Sequence, residues 1–375
     1  MSRRPSPLLR TLSGGAAVLA VLASATGCGS ESGTSGTSSP SGEVTAAFVA
    51  CHGSGQLLGA GSTAQANAMD VWKAAFSSGC PSITVTYGGG GSGAGIQQFN
   101  QGKVAFAGSD AALKQSEIDA SKQVCTGGQG IDLPMVGGLI SVVYNIDGVD
   151  HLVLNGQTIA KIFNSEITKW NDPAITALNP GVALPDADIQ SVHRSDDSGT
   201  TANLTGYLAV ASNGTWPYPA SKTWAGKGGQ SANGSAGVAA QVKQVKNSIG
   251  YVELSFAQTN GLKSAAIATG ASKPVDATAA NAATTIAKAQ PAGTGNDLAL
   301  NLNYATQDEG AYPLVLVTYE IVCDKGNKAA TLDALKSFLA YTSSDSAQQA
   351  IGSQGYVPLP SAITSQVKNV IPTLS

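Results

Sequence analysis

The chain is short of charge. Only 12% of its 375 residues are Asp, Glu, Lys or Arg, and the acids outnumber the bases 24 to 21, for a formal net charge of −3. That balance excludes a general electrostatic affinity for nucleic acid, so any anion this chain binds needs a local, shaped site. Histidine is scarcer still: His52, His151 and His193 stand far apart, no Cys-x-x-Cys occurs, and the usual metal-ligand spacings are absent, so no metal and no other cofactor is expected. No Gly run is followed by Lys-Ser or Lys-Thr, which excludes a P-loop, and no Gly-x-Ser-x-Gly elbow marks a hydrolase nucleophile. His193 and Ser198 lie in one loop, and two residues of one loop do not make a triad. The apolar run Ala16–Ala25 is too short to span a membrane.

That run has another reading. Arg3, Arg4 and Arg10 precede it, and Ala25-Thr26-Gly27-Cys28 ends it, the arrangement of a secretory signal whose cleavage site resembles a bacterial lipobox. Residues 1–27 are therefore expected to be removed, Cys28 to carry lipid, and residues 28–45, rich in Gly, Ser and Thr, to act as a flexible tether. Losing three arginines and no acid takes the mature charge to −3 − 3 = −6. Outside the cytoplasm the four remaining cysteines can form two disulfides, with three connectivities open. Cys80 closes the first helix and Cys125 follows the next, while Cys51 begins the first strand and Cys323 ends the last. From those positions the expected pairs are Cys80–Cys125 and Cys51–Cys323.

The periodicity alternates strand, loop and helix. A short strand start at Gln56 leads into Gly59-Ala60-Gly61-Ser62-Thr63-Ala64 and a helix over about 65–78, with Met69, Trp72 and Phe76 as its buried stripe. Ile83, Val85 and Tyr87 alternate as a strand, a glycine run over 88–95 opens a short helix, and Val104–Ala107 is a strand ending in Gly108-Ser109-Asp110. This is the signature of an open α/β sheet, in which ligands sit at the carboxyl ends of the strands. Two long apolar strands, at 134–146 and 312–323, bracket the middle of the chain. They predict one domain built from both chain ends (46–138 and 314–375), a second inserted between them (139–313), and a hinge made by the two crossings. Residues 212–236 read as an irregular excursion, and 264–300 gives little.

The densest stretch is Arg194-Ser195-Asp196-Asp197-Ser198-Gly199-Thr200-Thr201, between a strand end at 189–192 and a helix over about 202–211. Ser198, Gly199 and Thr200 stand where a loop enters a helix, so free N–H groups and the positive end of the helix dipole make an anion seat. Arg194 adds a planar fork that suits a tetrahedral oxyanion. Gly88-x-Gly90-x-x-Gly93 matches a dinucleotide fingerprint, with Asp110 at about the expected distance. The glycine run makes that match cheap, and Asp110 belongs to a loop of its own, so the reading is rejected.

Taken in order, Gly59-Ala60-Gly61-Ser62-Thr63, Gly91-Ser92-Gly93, Gly108-Ser109-Asp110 and Arg194–Thr200 resemble the phosphate-binding proteins of bacterial ABC phosphate importers, over about residues 57–360. Ile249-Gly250-Tyr251-Val252-Glu253 is a further landmark. The resemblance implies a type II periplasmic binding protein fold, two α/β domains with one phosphate in the cleft. It implies that Thr63 offers its hydroxyl and N–H, Ala64 its N–H, and Ser92 both groups. Asp110 would accept the phosphate's own proton, Arg194 would fork the anion while Asp196 holds it, and Ser198, Gly199 and Thr200 would supply the helix N-terminus. Ala64 replaces an aromatic common in the family, and Asp197, where some relatives have Gly, is expected to face solvent. The partners implied are inorganic phosphate and the importer's permease subunits; the protein is expected to be a lipid-anchored monomer and not an enzyme. A binding protein for another oxyanion such as sulfate or molybdate, a secreted phosphatase and an adhesive lipoprotein are the competing readings.

Overall fold

The computed structural model describes residues 50–375; the expected signal sequence, Cys28 and the expected tether lie outside the described residues. Strand β1 (Gly55–Gly61), helix α1 (Ala66–Gly79), β2 (Ile83–Gly88), α2 (Ser92–Asn100) and β3 (Phe106–Ser109) follow one another as the periodicity predicts. β1 lies between β2 and β3 and runs parallel to both. All three strands therefore deliver their carboxyl ends to one edge, where the polar loops begin. α1 buries Met69, Trp72 and Phe76. Phe76 meets Phe338 at 5.2 Å between ring centroids, and the Trp72 indole donates to the Ala347 carbonyl at 2.9 Å. Residues near the C-terminus thus pack on the first described helix.

Next come α3 (Gln115–Ser121), β4 (Gly130–Asn145), β5 (Val153–Asn155), α4 (Gly156–Phe163), α5 (Pro173–Thr176), β6 (Gln190–Arg194), α6 (Gly199–Ala211), β7 (Gln230–Ala232), α7 (Gly234–Gln244), β8 (Ser248–Glu253), α8 (Leu254–Asn260), β9 (Lys263–Ser264), β10 (Ala266–Ala268), α9 (Ala279–Ile286), β11 (Gln290–Pro291) and β12 (Leu300–Asn301). β13 (Val315–Cys323) returns to the first sheet region, and α10 (Ala329–Thr342), α11 (Asp345–Gly352) and α12 (Ser361–Val370) cover it. The principal sheet has the order β2-β1-β3-β13-β4-β8-β6-β7, with β9 beside β4. The sequence reading missed α3, α8, α9 and α12.

β4 joins the two ends of this sheet. Its residues 130–139 pair with β13, and from Ile140 to Asn145 it pairs with β8. The exchange falls between Leu139, opposite Val315, and Ile140, opposite Glu253. The strand begins four residues before the predicted start. Pro134 sits in its interior, next to a register shift opposite Thr318 and Tyr319, where a missing N–H is tolerated.

The disulfides are Cys51–Cys80 and Cys125–Cys323, not the pairs expected from sequence. The sheet register explains both. Gly55 of β1 pairs in parallel with Ile83 of β2, so the residues leading into the two strands, Cys51 and Cys80, stand side by side with Cα atoms 5.6 Å apart. β13 runs antiparallel to β4, and Cys323 at its end faces Gly130, which brings it beside Cys125 at a Cα separation of 5.3 Å.

Candidate functional site

β1, β2 and β3 end in loops that build one wall of a polar seam. Asp110, just past β3, is 3% exposed. Its Oδ1 accepts the hydroxyls of Ser62 and of Thr318, the latter at 2.8 Å. Ser92 Oγ donates to Oδ2 at 3.3 Å and accepts the Asp110 N–H at 3.1 Å. Among the described residues, three hydroxyls and no cation touch this carboxylate. Burial, and then the nearby Glu253 carboxylate, push Asp110 up to about 6, against the pull of Ser62, Thr318 and Arg194. Ser62 is the pivot of the wall, since its Oγ also accepts the Ala64 N–H at 3.0 Å.

β6 and α6 build the facing wall. Arg194 ends β6 and is 2% exposed. Its Nε donates to Asp196 Oδ1 at 2.8 Å, and Nη2 donates to Oδ2, a two-pronged pair. Nη1 reaches Thr200 Oγ1 at 3.3 Å and Ser235 Oγ at 3.2 Å. The Arg194 backbone N–H is held by the Tyr251 hydroxyl at 3.0 Å. Burial disfavours both charges of the pair. The two bonds outweigh it, holding the Asp196 carboxyl below its usual range and Arg194 above its own. Gly234 N–H adds a bond to Asp196 at 3.0 Å.

Ser198 caps α6, accepting the Thr201 N–H at 3.2 Å. The helix therefore starts at Gly199, three residues before the start read from apolar spacing, because the cap and not the first apolar residue sets the end. A side chain at Gly199 would come within 2.5 Å of Ser92 Oγ and 2.6 Å of the Asp110 Cβ. Only a glycine lets the helix N-terminus come this close to the opposite wall.

The walls touch. Gly199 N–H donates to Ser92 Oγ at 3.1 Å, Gly93 N–H to the Asp197 carbonyl at 3.0 Å, and Ser235 N–H to Thr63 Oγ1 at 3.1 Å. Gly91, at φ +93°, passes so near that a Cβ there would strike Asp196 Oδ2 at 2.4 Å.

All nine residues named from sequence, Thr63, Ala64, Ser92, Asp110, Arg194, Asp196, Ser198, Gly199 and Thr200, are gathered here. Their present partners differ in places from the implied roles. The Ala64 N–H is turned to Ser62, and the Thr200 hydroxyl donates to Glu253 Oε1. Asp197 is exposed, as expected, and accepts the Thr223 hydroxyl at 2.6 Å. Sequence reasoning missed Thr318, Ser235 and Glu253 as members, and did not single out Ser62. Glu253 is 2% exposed, and its Oε2 has no partner among the described residues. A signal existed for Ser62 and Glu253, which lie inside noted motifs, but none for Ser235 or Thr318.

One buried acceptor among hydroxyls, facing a guanidinium and a helix N-terminus across a seam, suits a small, partly protonated oxyanion. Comparison with known proteins agrees in kind. Residues 46–346 match the PBP superfamily domain. The chain is 44% identical over 362 residues to the Phosphate-binding protein PstS 3 of Mycobacterium leprae, covering 94% of this chain and 96% of that one. It is 42% identical over 355 residues to the Phosphate-binding protein PstS 2 of Mycobacterium tuberculosis, covering 93% and 95%. The solved phosphate-binding protein from Stenotrophomonas maltophilia aligns with a TM-score of 0.66 at 19% identity, covering 84% of this chain and 94% of that one, which identifies the fold as the type II periplasmic binding protein fold. With such identity along nearly the full length of both chains, on that fold, the chain belongs to the PstS family of phosphate-binding proteins.

Proposed function

We propose that this chain binds inorganic phosphate in the seam between the two walls and delivers it to an ABC importer. The observation that carries the reading is Asp110, a buried carboxylate whose direct partners among the described residues are hydroxyls, set against Arg194 and the N-terminus of α6. A hydrogen phosphate ion offers one proton and many acceptor sites, and so needs one acceptor and many donors. Arg194, the hydroxyls of Thr63 and Ser92 and the amides of Ala64, Gly199 and Thr200 are the donors; Ser198 caps the helix that presents them, and Asp196 orients Arg194. Sulfate carries no proton at neutral pH and would set its charge against an unpaired buried carboxylate, which rejects it.

In this reading the two lobes are residues 46–138 with 314–375 and residues 139–313, and they hinge where β4 changes partner. The protein works as a monomer held outside the cytoplasmic membrane by lipid on Cys28, and it binds without chemistry. Calorimetric titration of the phosphate-depleted mature protein tests this. The expected result is saturable one-to-one phosphate binding with sulfate far weaker; equal affinity for the two anions, or none for phosphate, contradicts it.

A further inference from the structure

Two polar ties close the seam outside the residues assigned to the anion. Asn203 stands one turn into α6 and is 5% exposed. Its amide nitrogen donates to the Asp110 carbonyl at 2.6 Å and to the Gly199 carbonyl at 2.8 Å. Its oxygen accepts the Tyr304 hydroxyl. One side chain thus joins the backbone of the acceptor loop to the backbone of the donor helix. The second tie is Lys222, from the irregular excursion after α6. It is 6% exposed, and its Nζ reaches Glu117 Oε1 on α3 at 2.6 Å. The Lys222 carbonyl meanwhile accepts the Ser198 N–H at 2.9 Å, and Glu117 Oε2 takes the Lys114 N–H at 2.8 Å.

Among the described ion pairs, Arg194–Asp196 and Lys222–Glu117 are the two with both side chains mainly buried. Exposed pairs contribute little, but a sheltered, hydrogen-bonded pair holds its partners more firmly. Between the ties lies a cavity of about 270 Å³, lined by Asn203, Lys222, Lys114 and Tyr304 among others. The seam is therefore not packed solid there, and both ties border the opening.

We propose that Asn203 and Lys222 are positioning residues that keep the closed seam shut, and so set how long phosphate stays rather than how fast it arrives. The proposal rests on the phosphate-binding reading. Neither side chain bonds the groups assigned to the anion, and both ties join segments that must part for a buried ligand to leave. A bond made only after closure lowers the escape rate and leaves the encounter rate nearly untouched.

The test is release of radiolabelled phosphate from the mature chain into excess unlabelled phosphate, with association measured in parallel. For Lys222→Met and for Asn203→Ala we expect release about tenfold faster, with association changed less than about threefold. Glu117→Gln, which keeps an acceptor for the Lys114 N–H, should match Lys222→Met, and Lys222→Arg should restore most of the wild-type retention. Wild-type release rates in all the variants, or association slowed by the same factor as retention, overturn the proposal. A wild type that holds no labelled phosphate overturns the functional reading itself and takes this inference with it.

Discussion

The two walls of the seam hold their charges in opposite ways. On the α6 wall, Arg194 is neutralised at home by Asp196, through two bonds in one plane. On the β1–β3 wall, the Asp110 carboxylate touches, among the described residues, hydroxyls and no cation. The Arg194 Nη1 group reaches the Thr200 and Ser235 hydroxyls beside the start of α6. Burial pushes the pKa of the Asp110 carboxyl up to about 6. In the proposed reading one wall fixes donors and the other checks for a proton. Binding strength should reside mainly in the first and selectivity mainly in the second.

Breaking the donor wall should give the largest loss. Arg194→Ala leaves Asp196 half-buried without its partner and removes the fork. We expect phosphate affinity to fall on the order of a thousandfold, about 4 kcal/mol, by calorimetry. Arg194→Lys keeps the charge but not the plane and should still lose at least about tenfold. Loss of phosphate and sulfate binding by the same factor in these variants would fit a wall that holds without discriminating.

Gly199→Ala attacks the approach of the two walls rather than a charge. Its Cβ would lie 2.5 Å from Ser92 Oγ and 2.6 Å from the Asp110 Cβ, so helix and loop must separate. We expect about a thirtyfold loss of affinity, roughly 2 kcal/mol, with the fold retained by circular dichroism. An unchanged affinity would mean that the walls need not meet for binding.

A smaller effect follows from the acceptor wall alone. Burial pushes the Asp110 carboxyl up to about 6, against 3.8 for its ordinary value. Between those values the folded chain keeps a proton that the unfolded chain has released. This site's contribution to stability therefore falls as pH rises through the window from about 4 to 6, by about 3 kcal/mol at most. Asp110→Asn should flatten that part of the profile in ligand-free denaturant titrations. An identical pH dependence in the variant would show that Asp110 is ionised throughout.

The sequence disclosed these walls unevenly. The loops after β1, β2 and β3 and the Arg194 loop were legible because polar and glycine residues interrupt apolar strands, and because a helix N-terminus needs a cap such as Ser198. Thr318 was hidden inside a long apolar strand. Its partnership with Asp110 depends on the register of β13 beside β3, which no local pattern encodes. Ser235 and Lys222 were hidden in a glycine- and serine-rich stretch without periodicity. The disulfide pairing failed for the same reason as Thr318: which cysteines meet is decided by which strands lie side by side. The helix in the Ala- and Thr-rich segment was missed because its buried face, Ala282, Thr285 and Ile286, is mostly small residues. α9 still shows its cap in Thr278, which accepts the Asn281 N–H at 3.2 Å.

The central claim is that Asp110 selects phosphate by accepting its proton. Asp110→Asn removes the charge and adds an NH2 donor in nearly the same volume. Phosphate can keep its hydroxyl bonded to the amide oxygen, while sulfate loses a repulsive neighbour and gains a donor. The measurement is a pair of calorimetric titrations, phosphate and sulfate, on wild type and Asp110→Asn at one pH and ionic strength. The account predicts that the phosphate-over-sulfate preference falls at least about tenfold, roughly 1.4 kcal/mol of differential binding. Weakening of both anions by one common factor would contradict it and reduce Asp110 to a support for the wall.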